Sequence, residues 1–424
     1  MHHFQYKNGQ LHAEGVAIAD IVEAVGTPFY CYSSATFSRH YRVLEEAFAD
    51  TDHLICYAIK ANSNQAVLAT MASLGAGMDV VSEGELRRAR AIGVPANKII
   101  FAGVAKTRDE MAYALNEDIL GFNVESRAEL EALSAVAAAN NQTARIAIRV
   151  NPDVDAKTHA KISTGKSENK FGVPFVEAAD LFDVAAQLPG IQVTGIHMHI
   201  GSQITDLVPF RQAFSLMRSL TLELQQRGHN LEHLDLGGGL GVPYSSSNDV
   251  PPPPADYAAI VKEELGDLGL KYVMEPGRMI AANAGILVTK VIYTKSSPAK
   301  HFTIIDGAMN DLIRPTLYDA EHEIWPVREA LRAEPNIIQD LVGPVCETGD
   351  YLAEDRALPE FHEGDLVAFM AAGAYGAVMA STYNTRLLVP EVLVNGNQYA
   401  IVRKRQTYEE LIGLDTVPDW IVQS

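Results

Sequence analysis

The sequence predicts an α/β fold: a (β/α)8 TIM-type barrel followed by a C-terminal, mainly antiparallel β domain. Three observations carry that expectation. At 424 residues the chain is too long for one ordinary compact core. Between residues 53 and 275, eight short β-rich apolar runs alternate with longer stretches of helical period, the pattern of repeated βα units around a parallel sheet. From about residue 286 that rhythm stops, and strand-like runs follow one another across Gly-, Pro- and Asp-rich turns without long helices between them.

In chain order the eight runs are 53–59 (HLICYAI), 77–82 (GMDVVS), 98–103 (KIIFAG), 119–124 (ILGFNV), 144–151 (ARIAIRVN), 191–200 (IQVTGIHMHI), 232–236 (EHLDL) and 271–275 (KYVME). Helix-like stretches lie between them, among them 83–92, 107–117, 126–139, 207–227 and 255–267, several opened by Ser, Thr, Asn or Asp at a capping position. Eight units in about 230 residues suit a barrel, whose usual size is roughly 250 residues. The later runs are 286–295, 302–306, 337–342, 364–370 and 397–404. The expected division is therefore a barrel over 34–285 and a β domain over 286–424, joined by residues 1–33 with their strand-like FYCYS at 29–33. The tetraproline at 251–254 reads as a surface polyproline loop, and VAFMAAGAYGAVMA at 367–380 as a buried strand and turn.

Composition narrows the function classes. The hydrophobic fraction of 47% with 21% charged residues is that of an ordinary globular protein. A net charge of −19 argues against nucleic acid and anionic membrane surfaces as partners, since neither is drawn to a strongly acidic exterior. A small anionic substrate stays open, because a few arginines in a closed cleft can set a local field opposite to the global one. Cysteine occurs only at Cys31, Cys56 and Cys346, without CxxC spacing, so neither a disulfide framework nor a zinc cluster is indicated. The N-terminal MHHFQYKNGQ offers no signal-peptide core, and no later run reaches the roughly 18 apolar residues that span a bilayer. The chain reads as soluble and cytoplasmic.

In a barrel of this type the site is built where strands end, so the residues after each run are the candidates. Lys60 in YAIKAN ends the first run, where desolvation lowers an amine's pKa and frees it for a Schiff base; taken alone, it is also an ammonium reaching water at the rim. The eighth run ends in EPGR, which puts Glu275, Gly277 and Arg278 at the same rim. The seventh ends in Gly237, Gly238 and Gly239, where missing side chains let backbone N–H groups approach a phosphate, although a glycine triplet alone is more often a plain turn. The sixth gives HMHIGS, with His197, His199 and Ser202. Histidines two apart on a strand share a face and could hold a metal, but no spaced carboxylate completes a ligand set, and none is expected. Stacking of His199 on a flat cofactor suits the position better.

Together, Lys60 in YAIKAN, Asp79 in GMDVVSEGEL, His199 in HMHIGS, the glycines at 237–239 and EPGR at 275–278 resemble the fold-type III pyridoxal-phosphate decarboxylases, a group containing ornithine, arginine and diaminopimelate decarboxylases. The resemblance runs from about residue 25 to 410, with five motifs in matching order. It implies pyridoxal 5′-phosphate as cofactor, Lys60 as its Schiff-base lysine, and phosphate contacts from Ser202, Gly237, Gly238, Gly239, Gly277 and Arg278 with help from Tyr375. Glu275 would keep the pyridine nitrogen protonated, the strong electron sink that decarboxylation needs; fold-type III alanine racemases place an arginine there instead. His199 would stack on the ring, and Asp79 and Arg149 would hold that neighbourhood in register.

The β domain carries the features that choose a substrate. RPTLY places Arg314 and Tyr318 four apart, and CETGD pairs Cys346 with Glu347. In isolation the first two read as a surface pair and Cys346 as a buried core residue. Against the family they resemble the distal-end recognition set of the diaminopimelate decarboxylases, with Arg278, Arg314 and Tyr318 at the far carboxylate, Glu347 at the far ammonium and Tyr375 also at the substrate. A far end bearing both charges fits meso-2,6-diaminopimelate, whereas ornithine or lysine offers only an ammonium, and buried arginines left unpaired would cost on the order of 3–5 kcal/mol. The resemblance thus implies decarboxylation of that diamino acid to L-lysine and CO2, with Cys346 as the catalytic proton donor. It also implies a homodimer in which Cys346 and Glu347 serve the site of the opposite subunit. The segment 159–172, HAKISTGKSENKFG, resembles the family's lid region, and Thr348 departs from the serine common at its position. Three other readings stay open. A related decarboxylase of another carboxylated amine, carboxynorspermidine-like or carrier-bound glutamyl, is disfavoured for polyamine substrates by Arg314 with Tyr318. A racemase is opposed by Glu275 and Cys346. A non-catalytic pyridoxal-phosphate-binding protein would leave the β domain unexplained.

Overall fold

The computed structural model describes residues 2–156, 164–165, 169–244 and 250–422. The chain divides into two compact units, one of Met1–Thr36, Tyr244–Ser246 and Ala282–Ser424, the other of Phe37–Pro243 and Ser247–Ala281.

In the second of these, eight parallel strands close a barrel among the described residues: β1 (His53–Ala58), β2 (Gly77–Val80), β3 (Ile99–Phe101), β4 (Gly121–Val124), β5 (Ala144–Asn151), β6 (Ile191–His197), β7 (His233–Asp235) and β8 (Lys271–Met274). Each pairs in parallel with the next, and β8 returns to β1 through Tyr272–His53 and Met274–Ile55. Parallel strands covered on both faces are largely apolar, and β2, β3 and most of β5 are buried along their length. All eight expected runs are strands, mostly trimmed. The run at 98–103 keeps only Ile99–Phe101 because Ala96–Lys98 coils into a 3-10 turn, and the run at 191–200 stops at His197.

The expected caps are in place where Ser82, Thr107 and Ser126 accept backbone N–H bonds at the starts of the helices Glu83–Ala91, Arg108–Asn116 and Arg127–Ala139. The tetraproline is a loop only in part: Pro253 caps and Pro254 opens the helix Pro254–Leu265, a position where the missing N–H costs nothing. The helices Gln65–Ser73 and Phe175–Ala185 were not anticipated. In QAVLATMAS the apolar residues lie around most of the circumference, so no stripe signals the period. Most of the segment 159–172, expected as a lid, lies outside the described residues.

The other unit is built on a mainly antiparallel sheet running, neighbour to neighbour, Tyr351–Pro359, Asn336–Val342, His301–Ile305, Gly285–Ser296, Phe29–Ser33, Glu391–Asn395 and Gln398–Arg403. Two pairings are parallel, Phe302–Ile304 with Asp340–Val342 and Tyr30–Ser33 with Glu391–Val394. FYCYS therefore joins this sheet centrally. Its fully buried Phe29 and Cys31 pack with Ile286, Val288, Val392 and Val394 into the core of the unit. The strands at 351–359 and 391–395 were missed; the first, LAEDRALP after Tyr351, mixes charges with apolar residues and shows no clean alternation. Among the described residues no helix is long and apolar enough to cross a membrane.

Candidate active site

The barrel's strand ends gather one constellation. Lys60 stands in the 3-10 turn Ile59–Ala61 directly after β1. Parallel pairing sets Ala58 beside Asp79 at the end of β2, and the Lys60 Nζ donates to Asp79 Oδ2 at 2.8 Å. Asp79 is fully buried, whereas the lysine side chain is 37% exposed. After β8 the EPGR turn folds against the same place: the Ala58 N–H donates to the Pro276 carbonyl at 3.1 Å, and a Cβ on Gly277 would lie 3.2 Å from the Ala58 Cβ. Any side chain there would crowd the turn that carries Lys60.

The glycine triplet follows β7 and is required by the fold. Gly237 and Gly239 take φ of +62° and +118°, and a Cβ on Gly238 would come within 2.4 Å of the Glu275 carbonyl oxygen. The Gly238 N–H donates to His199 Nδ1 at 3.2 Å, which makes that nitrogen the acceptor. Arg278 is buried and its Nε donates to Ser202 Oγ at 3.0 Å, so the sixth and eighth strand ends meet through a guanidinium and a hydroxyl. Arg149 on β5 donates to Glu125 Oε1 at 3.0 Å and covers the Phe171 ring.

Beneath these groups lies a buried charged cluster that the sequence reading did not assemble. Asn123 at the end of β4 donates to Asp235 Oδ2 and to Glu275 Oε1, both at 3.0 Å, and His197 Nε2 approaches Glu275 Oε2 at 3.4 Å. Burial alone would raise the Glu275 carboxyl, but the charges of His197 and Lys60 outweigh it and hold it well below the usual carboxylate range. Burial would lower His197, and the carboxylates of Asp235 and Glu275 reverse that. Asp235 is pushed up to about 8 by burial and the Glu275 charge. Burial and the Glu275 charge also raise Asp79, against the pull of Lys60. His199 is driven well below its ordinary value by burial and by the charges of Arg149 and Lys60, so it is a neutral ring.

The structure departs from the expectation that no carboxylate stands with these histidines. Carboxylates do accompany the histidines, since ligand atoms of His197, Asp235 and Glu275 lie within 4.8 Å of one another. They come from β7 and β8, which no spacing in HMHIGS could reveal. Because β6 ends at His197, His199 stands on the following loop and does not share a strand face with it.

The other unit holds the remaining candidates. Arg314 and Tyr318 open and close one short helix, Arg314–Tyr318. Arg314 is not a surface residue: it is 4% exposed, its Nη1 donates to His322 Nε2 at 2.9 Å, and its guanidinium lies 4.2 Å from the Tyr244 ring centroid. Thr316 of the same helix donates to the Gly349 carbonyl at 2.8 Å, which ties the helix to the CETGD turn. Asp350 anchors that turn by accepting from the N–H groups of Met309 and Val345 at 2.6 and 2.7 Å. Cys346 is exposed instead of buried in a core, with its N–H donating to Asn384 Oδ1, and Glu347 is exposed beside it. Tyr375 is half-buried at φ +55°, a left-handed conformation that a bulky residue adopts only where its surroundings impose it.

Asn123, Asp235, His322 and Tyr244 were missed as parts of the site. The first two stand at strand ends, which is a signal the sequence carries; His322 and Tyr244 carry no such signal.

Comparison with known proteins places this arrangement. Residues 34–282 match the family model of the pyridoxal-dependent decarboxylase pyridoxal binding domain. The chain is 48% identical over 417 residues to the diaminopimelate decarboxylase of Haemophilus influenzae, covering 98% of this chain and 100% of that one. It is 50% identical over 408 residues to the diaminopimelate decarboxylase of Pseudomonas aeruginosa, covering 96% and 97%. The crystal structure of diaminopimelate decarboxylase from Helicobacter pylori complexed with L-lysine superposes with a TM-score of 0.89 at 40% identity, over 93% of this chain and 98% of that one.

Proposed function

Because this chain belongs to the pyridoxal-dependent decarboxylases and, within them, to the diaminopimelate decarboxylases, we propose that it converts meso-2,6-diaminopimelate to L-lysine and CO2, the last step of lysine biosynthesis, with pyridoxal 5′-phosphate as its cofactor. The observation that carries the chemistry is the buried carboxylate of Glu275, held ionised by His197 and Lys60 at the end of β8. An ionised acceptor in a low-dielectric pocket is what a protonated pyridine nitrogen needs. The rest of the rim fits the same group: the amine of Lys60 for its aldehyde, and the Gly237–Gly239 turn, Gly277, Ser202 and Arg278 for its phosphate, with Tyr375 assisting. Bound there, pyridoxal phosphate supplies a sink for the electron pair left behind when CO2 departs.

The chain's own residues do the rest. Lys60 holds the cofactor and, with Asp79 beside it, keeps its amine in place. Glu275 would keep a proton on the pyridine nitrogen, and His199, as a neutral ring, would lie against the cofactor without adding charge. Arg278, Arg314 and Tyr318 hold the far carboxylate of the substrate, Glu347 holds the far ammonium, and Tyr375 also reaches the substrate. The exposed thiol of Cys346 gives its proton to the carbon that lost CO2, a C–H bond replaces the broken C–C bond, and the thiolate regains a proton from solvent. In this reading the barrel over 34–285 binds the cofactor, while 1–33 and 286–424 supply substrate contacts and the proton donor. The enzyme is a homodimer in which Cys346 and Glu347 serve the opposite subunit's site, and it works in the cytoplasm.

The test is CO2 release and product identity for the cofactor-loaded enzyme given meso-diaminopimelate, L-ornithine, L-arginine and L-lysine separately. Lysine from diaminopimelate, with the other three inert, is the expected result. No release from diaminopimelate overturns the substrate assignment.

A further inference from the structure

A buried guanidinium has five N–H donors to satisfy, and the partner that takes them decides what charge remains. For Arg314 one partner is an imidazole. His322 is fully buried, its Nδ1 lies 2.7 Å from the Met370 carbonyl oxygen, and its Nε2 lies 2.9 Å from Arg314 Nη1. A carbonyl oxygen only accepts and a guanidinium only donates, so the ring's single proton sits on Nδ1 and Nε2 is a bare acceptor. Tyr244 completes the cradle. Its ring faces the Arg314 guanidinium at 4.2 Å and meets the His322 ring edge-on at 5.4 Å and 78°. The backbone closes the arrangement, with the Glu323 N–H donating to the Tyr244 carbonyl at 3.0 Å and the Met370 N–H donating to the Glu323 carbonyl at 2.8 Å.

We infer that His322 is a specificity-determining positioning residue, which with Tyr244 fixes the Arg314 guanidinium for the substrate's far carboxylate through contacts that do not cancel its charge. The inference rests on the reading of Arg314 as a far-carboxylate ligand. An aspartate or glutamate in place of His322 would fix the same guanidinium equally well, but it would offer a competing anion. A histidine held to one tautomer by a backbone carbonyl offers only a lone pair, and an aromatic face offers only its quadrupole.

The test uses two inhibitors that differ by that one carboxylate. Decarboxylation at one end of diaminopimelate leaves the far end intact, so L-lysine keeps the far carboxylate, whereas cadaverine has none. His322→Leu in the cofactor-loaded enzyme should raise the inhibition constant of L-lysine and the KM for meso-diaminopimelate by about 10- to 100-fold, the range expected for a misplaced charge-assisted hydrogen bond. The constant for cadaverine and kcat should each change by less than about threefold. His322→Gln, whose amide can donate to the Met370 carbonyl and accept from Arg314, should restore lysine inhibition. If the leucine variant does not fold, His322→Asn carries the test, since its short amide cannot span both partners. An unchanged ratio of lysine to cadaverine inhibition in a folded Leu or Asn variant overturns the role of His322. Arg314→Lys run alongside separates the two failures: if it too leaves the ratio unchanged, the reading of Arg314 itself is wrong.

Discussion

Replacing Glu275 by glutamine keeps the size of the side chain and an oxygen for Asn123 to donate to, and removes only the charge. His197 gauges what that charge is worth. At 3.4 Å, two unit charges interact by about 5 kcal/mol at an effective dielectric of roughly 20. A protonated pyridine nitrogen draws on the same carboxylate, and if half of that interaction favours the protonated ring, the loss is about 2–3 kcal/mol, or about two pKa units. Carried into the transition state this is a fall of about 10²-fold in kcat. The assay is CO2 release at saturating meso-diaminopimelate, with cofactor content matched to the parent by its visible absorbance. A variant that keeps its cofactor and loses about a hundredfold in turnover fits the argument. Turnover within about threefold of the parent would refute it, because the charge would then contribute nothing that a neutral amide cannot.

Lys60→Ala should lose both turnover and the visible absorbance of lysine-bound cofactor; full activity would remove the central assignment. Cys346→Ala should keep the cofactor spectrum and lose most of its turnover, and an unchanged rate would mean that another group delivers the proton. Mixing Lys60→Ala with Cys346→Ala subunits should recover activity if sites are shared, so verified heterodimers without any recovery count against that arrangement. Asp235→Asn tests the buried cluster through pH. With its carboxyl raised from 3.8 to about 8, folded Asp235 keeps a proton that the unfolded chain releases, so its contribution to stability is whole below about pH 4 and falls as pH rises toward 8. The asparagine variant should gain on the parent across that window, with a limiting slope of about 1.4 kcal/mol per pH unit. A difference in Tm that stays flat from pH 4 to 8 would show that Asp235 titrates as an ordinary carboxylate.

Lys60, the Gly237–Gly239 turn and the EPGR motif were legible because each is a local statement. An apolar run of strand length ends, and the next residues stand at the rim whatever the rest of the chain does. Two of the glycines are dictated locally as well, by positive φ, while Gly238 is required by the Glu275 carbonyl that the barrel brings against it. The eight runs announced the barrel for the same reason, since strands buried on both faces are largely apolar. Asn123, Asp235 and His197 lie on three strands and Glu275 directly follows a fourth, and the Asn123 bonds bridge 112 and 152 residues of sequence. Their mutual interactions become strong only once the barrel closes, because in the open chain they are far apart and screened by water. Arg314 shows the same division inside five residues. Its spacing to Tyr318 could be read directly, but an arginine looks like a surface residue until His322 and Tyr244 are packed against it. The sequence by itself determined which groups stand at which strand and helix ends; only the tertiary structure decided which of them are dry, which are charged and which partner each one faces, because burial and proximity are properties of packing and not of order along the chain.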